Sequence, residues 1–145
     1  SNRSSYFKLQ KGYLETVLYF WPMKQIALVF VSGGLGSVLR FLVSKTFNGY
    51  FHNFFLGTFI VNILGCLLIG LILGISFKHN YLSQNQTLLL ATGFCGGFTT
   101  FSSFAFENHT LLKMGEFYGF ALYLGLSILL GIAAVALGLW VSKMF

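Results

Sequence analysis

Four long apolar runs constrain this chain more than anything else in it. They extend over about Gln25–Val43, Phe54–Phe77, Thr87 onward, and Phe117–Val141. Crossing the hydrocarbon core of a bilayer takes about 20 helical residues, and each run is of that order. Charged residues make up only 8% of the chain and hydrophobic residues 56%, whereas a water-soluble domain carries roughly 25% charged residues. The reading is an all-α membrane protein with four transmembrane helices in one domain, since 145 residues leave no room for a second.

Within the runs, small and polar residues fall in patterns. The first holds Gly33-Gly34-Leu35-Gly36-Ser37 and closes on Arg40. A dinucleotide-binding loop would need a third glycine where Leu39 stands, so close helix approach explains these residues better. The second run is Leu/Ile-rich, with Asn62 inside it and Gly70-x-x-x-Gly74 towards its end. The third run is unlike the others. Gly93, Gly96 and Gly97 lead into Thr99-Thr100 and Ser102-Ser103, interleaved with Phe98, Phe101 and Phe104. Glycine and adjacent β-branched residues weaken a helix. At bilayer depth an opened backbone survives only where protein or a polar cavity satisfies it. The third helix is therefore expected to break mid-membrane near Gly96–Thr100, where freed carbonyls and helix ends could hold an ion.

Residues 1–22 form an N-terminal extension ahead of a 23–145 channel-sized domain. The extension holds Arg3, Lys8, Lys11, several aromatics and the one proline, Pro22. It reads either as an interfacial helix at headgroup level or as an artefact of where the sequence starts. The basic residues of the loops balance. Lys24, Lys78 and Lys143 fall on one side, and Arg40, Lys45 and Lys113 on the other. Three against three gives no preferred orientation, and counting Arg3, Lys8 and Lys11 makes it six against three. No Lys/Arg cluster suggests nucleic acid, despite a net charge of +6.

Several chemistries are set aside. The chain has no Asp, and Glu15, Glu107 and Glu116 are expected outside the spans, with Glu107–Glu116 as the third loop. A proton-coupled exchanger needs an intramembrane carboxylate, which counts against a small four-span drug exporter. His52, His79 and His109 fall in three loops, and Cys66 and Cys95 lack partners for a metal or redox site. No enzyme is expected. Left over are uncharged polar groups: Asn62, Thr99, Thr100, Ser102, Ser103, Tyr123 and Ser127, with Arg40 at a span end. Tyr123 and Ser127 are four apart on one helix face, as Phe101 and Phe104 are three apart. A ring edge is the positive end of its quadrupole, so edge-on phenylalanines can attract an anion.

The run Gly93-Phe-Cys-Gly-Gly-Phe-Thr-Thr-Phe-Ser-Ser-Phe104 resembles the signature of the Fluc (CrcB-like) family of fluoride channels. Gly33–Arg40, Gly57–Gly65 around Asn62, and Tyr123 with Ser127 follow in the expected order, so the resemblance covers about Met23–Phe145. One departure is Ser102-Ser103, where the family usually has Ser-Thr. The resemblance implies an antiparallel, dual-topology homodimer in the cell's inner (plasma) membrane, multi-pass in its lipid bilayer. It implies a passive channel exporting cytoplasmic fluoride and so giving fluoride resistance. It further implies that Phe101 and Phe104 line the pore and that Asn62 donates to fluoride. Ser102, Ser103, Tyr123 and Ser127 would continue the polar track, with Arg40 near the vestibule. The backbone carbonyls of Gly96 and Thr99, from both chains, would hold a structural Na⁺ at the dimer centre. The competing readings are the proton-coupled exporter and a non-transporting membrane scaffold or subunit.

Overall fold

The computed structural model describes residues 2–79 and 81–145, with the side chains of residues 22–77 and 81–145. It is helical almost throughout. Helix α1 covers Asn2–Phe47, α2 Leu56–His79 and α3 Gln84–Thr87. A π-helical stretch follows over Leu88–Cys95, then α4 over Gly96–Phe98, α5 over Phe101–Lys113 and α6 over Phe117–Ser142. Among the described residues four segments are long and apolar enough to cross a membrane: Pro22–Phe47, Leu56–Phe77, Gln84–Lys113 and Phe117–Ser142.

Residues 2–22 are not a separate element. They are the first part of α1, whose 46 residues give a rod roughly 70 Å long at 1.5 Å per residue. Its interfacial placement would rest on the side chains of residues 1–21, which lie outside those described.

The closest helix pairing is α2 against α6, and glycine permits it. A Cβ on Gly138 would run into the Leu67 carbonyl and lie 2.7 Å from the Leu71 nitrogen. One on Gly70 would strike the Val135 carbonyl, and one on Gly74 the Ser142 hydroxyl. Without side chains at these points the two backbones meet, and dispersion replaces the hydrophobic drive that lipid removes. The same device joins α1 to the third span. A Cβ on Gly36 would strike the Phe94 carbonyl, and one on Gly97 the Gly33 carbonyl.

Two expectations from sequence are corrected. Glu107–Glu116 is not a loop: α5 continues to Lys113, and the chain reverses over Met114, Gly115 and Glu116, with Gly115 at φ 76°. Only glycine takes that backbone without strain. Thr100 caps α5, its hydroxyl accepting from the Ser103 N–H at 3.2 Å, and nothing between Phe101 and Met114 ends the helix. The glycines of the third span do not unwind either. Gly96 is helical at φ −62°, ψ −37°, and Gly97 lies within α4. The extended backbone falls on Thr99 (φ −83°, ψ 158°) and Thr100 (φ −148°, ψ 113°). Gly97 serves close approach to α1, and the β-branched threonines suit extended dihedrals.

The buried core of the described residues gathers Phe104, Leu111 and Tyr123, ringed by Phe54, Phe55, Phe59, Phe120 and Leu124. Phe54 meets Tyr123 edge-on, with centroids 5.1 Å apart.

Candidate functional site

Two extended residues between helices release backbone groups that no helix can satisfy, and Asn62 takes two of them. Its Oδ1 accepts from the Thr100 N–H at 2.8 Å, and its Nδ2 donates to the Thr100 carbonyl at 3.2 Å. One amide on α2 thus closes a two-bond clasp on one residue, as a neighbouring β-strand would. An amide has two N–H donors. The second Nδ2 hydrogen has no partner among the described residues.

The remaining carbonyls divide clearly. Cys95 O accepts both the N–H and the hydroxyl of Thr99, each at 3.0 Å. Gly97 O accepts from Arg40 Nε at 3.0 Å and from the Ser37 hydroxyl at 3.3 Å. Among the described residues, the carbonyls of Gly96, Phe98 and Thr99 receive no such bond. Gly96 and Thr99 line a cavity of about 460 Å³ together with Asn62, Cys66, Cys95, Thr100, Phe101 and Phe104. Thr99 is seated against α2 because Gly65 opposite has no side chain: a Cβ there would strike the Thr99 methyl.

Phe101 and Phe104 both border the cavity, with ring centroids 6.0 Å apart and planes at 46°. Their settings differ. Phe101 is 79% exposed, while Phe104 is 9% exposed and packs on Tyr123 at 5.3 Å. Between them Ser102 is exposed and Ser103 half-buried, and the Thr100 hydroxyl lies 3.4 Å from Ser102 Oγ and 3.0 Å from Ser103 Oγ.

A second polar cluster sits at the far side of Phe104, and sequence reasoning missed its centre. Glu107 is buried on α5. Its Oε1 accepts from the Thr58 hydroxyl at 2.7 Å and from Asn48 Nδ2 at 3.4 Å; its Oε2 accepts from the Tyr123 hydroxyl at 2.7 Å. Asn48 also accepts the Thr58 N–H at 3.0 Å, which ties the turn after α1 to the first turn of α2. Burying a carboxylate costs several kcal/mol unless donors replace its water, and three donors from three elements do so here. The signal available in sequence was phase: Phe104, Glu107 and Leu111 recur at helical spacing.

The structure brings Asn62, Gly96, Thr99, Phe101 and Phe104 to one cavity, and ties Ser102 and Ser103 to it only through the hydroxyl of Thr100. It joins Tyr123 to the second cluster through Glu107. Ser127, one turn along α6, has a buried hydroxyl with no partner among the described residues. Arg40, half-buried on α1, donates its Nε–H to the Gly97 carbonyl.

The sequence matches the family described as CrcB-like protein, Camphor Resistance (CrcB), over residues 27–139. Similar proteins include the "Fluoride-specific ion channel FluC" of Azobacteroides pseudotrichonymphae, 47% identical over 124 residues, 85% of this chain and 99% of that one. The protein of the same name in Bacteroides fragilis is 46% identical over 128 residues, 85% of this chain and 99% of the other. That of Flavobacterium psychrophilum is 45% identical over 122 residues, covering 83% and 98%. With the family match reaching from the first span into the last, and relatives aligned over almost their whole length, this chain belongs to the CrcB-like family.

Proposed function

We propose that this chain is a passive, fluoride-selective channel that lets cytoplasmic fluoride leave the cell. The observation that carries it is the identity of 44–47% with fluoride-specific channels along nearly their full length. The cavity beside the opened backbone, mostly apolar with Asn62, Thr99 and Thr100 at its wall, supplies the place. An anion leaving water needs partners along its path that do not trap it with a full charge. Here the candidates are the spare Asn62 N–H, the hydroxyls of Ser102 and Ser103, and the edges of Phe101 and Phe104. Beyond them, Tyr123 and Ser127 carry the polar track along α6.

The assembly proposed is an antiparallel homodimer in the inner membrane, with the break mid-membrane. Phe101 is exposed on the cavity face of a single chain, and four spans do not enclose a pore. A second copy inserted the other way up would cover that face. Over residues 23–145 the basic residues balance three against three, which supports both orientations; Arg3, Lys8 and Lys11 bias that balance to six against three.

The free carbonyls of Gly96 and Thr99 suit a Na⁺ ion. Both are hard oxygen donors on the cavity wall, without hydrogen bonds among the described residues. Two from each chain would give four ligands, and the ion would lock the paired breaks together.

Glu107 removes one ground against a proton-coupled exporter, because a carboxylate does lie within a membrane-length segment. Its two oxygens are engaged by Thr58, Asn48 and Tyr123, so they are closed to an exchanging substrate. A scaffold role leaves the Asn62 clasp and the open carbonyls without a purpose. The test is fluoride efflux from liposomes holding the purified chain, with chloride as control. Fluoride flux with little chloride flux is expected; no fluoride flux, or equal chloride flux, would overturn the reading.

A further inference from the structure

Arg40 is the one guanidinium within the four membrane-length segments, and a charge there invites the reading of an anion attractor. Its geometry points elsewhere. Nε, a directional donor in the guanidinium plane, is spent on the Gly97 carbonyl at 3.0 Å. Ser37, nearly a turn earlier on α1, adds its hydroxyl to the same oxygen at 3.3 Å. A carbonyl has two lone pairs, so Gly97 O is filled. That oxygen ends α4, where the carbonyls carry partial negative charge and a cation is favoured. The approach is permitted by glycine: Gly97 lies against Gly33, and Gly36 against Phe94 and Phe98, so α1 reaches the end of α4 closely enough for these bonds.

The consequence concerns the neighbours of Gly97. Gly96 and Gly97 share one helical turn, so fixing the Gly97 carbonyl restrains the direction of the Gly96 carbonyl beside it; the Thr99 carbonyl, in extended backbone, is fixed instead by the hold of Asn62 on the Thr100 N–H. Cys95 O, Gly97 O and Thr100 O are each held by named donors. Gly96 and Thr99, whose carbonyls take no such bond among the described residues, both line the cavity. We propose that Arg40, with Ser37, is a positioning residue: by filling and orienting the Gly97 carbonyl it aims the adjacent Gly96 carbonyl, alongside that of Thr99, at a bound monovalent cation. This rests on the cation site proposed above. Lysine cannot substitute, because its ammonium lacks a planar, directional Nε–H.

The test is thermal unfolding of the purified full chain against Na⁺ concentration, with choline chloride holding ionic strength constant. Wild-type protein gains stability with Na⁺. For Arg40→Lys, the Na⁺ needed for half of that gain rises about tenfold, as loss of one charge-assisted hydrogen bond implies. Saturating Na⁺ restores wild-type melting. Ser37→Ala, which removes the longer bond and no charge, moves the requirement the same way by less. Arg40→Lys with an unchanged Na⁺ requirement overturns the proposal, as does a stability loss that Na⁺ does not repair. Arg40→Gln with weaker fluoride efflux but an unaltered Na⁺ response also overturns it, by making Arg40 an anion attractor. A wild-type protein indifferent to Na⁺ removes the cation site itself and this proposal with it.

Discussion

The pairing of α2 with α6 and the opened backbone at Thr99–Thr100 solve the same problem by opposite means. Both must satisfy backbone where lipid offers no hydrogen bonds. Along the middle turns of α2 and α6 the amides are bonded within their own helix, and Gly70, Gly74 and Gly138 contribute only by leaving room. At the threonines the helix gives up its own bonds. Asn62, Arg40, Ser37 and the Thr100 hydroxyl take over part of them. The first solution is featureless to an ion. The second leaves oxygens and one amide hydrogen unspent beside a cavity, and that is where chemistry can happen.

Substitutions at the two places should therefore fail differently. The largest effect is expected for Asn62→Ala, which strands the N–H of the buried Thr100 and takes one of two donors from its carbonyl, the other being the first bond of α5. An unsatisfied group costs roughly 1–3 kcal/mol and a lost hydrogen bond about 1 kcal/mol, so the loss should be about 2–4 kcal/mol. Thermal unfolding in detergent should show it, and fluoride efflux per folded protein should fall as well. Gly138→Ala is expected to be milder, about 1–3 kcal/mol from overpacking against the Leu67 carbonyl. Its remaining folded fraction should conduct at the wild-type rate. If Gly138→Ala abolished flux per folded protein, the division between a packing region and a working region would fail.

Much of the fold was legible because membrane constraints are local. A run of Leu and Ile is long enough to span or it is not, and Gly70-x-x-x-Gly74 announces close approach whatever the partner. The weakness of the third span was equally visible at Gly96–Thr100, though the sequence could not say which residues would open. Gly97 was already committed to Gly33, some 60 residues away in the chain by the same contact that brings Ser37 to it. Glu107 was illegible for a related reason. Charge alone reads as a loop, and only the convergence of Asn48, Thr58 and Tyr123 from three other stretches makes its burial tolerable. Arg40 could be placed at a span end, but its target lies 57 positions on. Spacing put Phe101 and Phe104 on one face, yet one is exposed and the other is core.

That last contrast provides the most direct test of the central claim, that the opened segment and its phenylalanines form the ion path. Phe101 is 79% exposed in the single chain, so replacing it disturbs the fold far less than replacing Phe104. Fluoride efflux should be measured from liposomes holding Phe101→Ile, alongside size-exclusion profiles of the same sample. An unchanged elution profile is expected, with efflux reduced about five- to tenfold, the factor for roughly 1 kcal/mol of lost ring-edge stabilisation. An unchanged profile with fluoride efflux at the wild-type rate would contradict that claim.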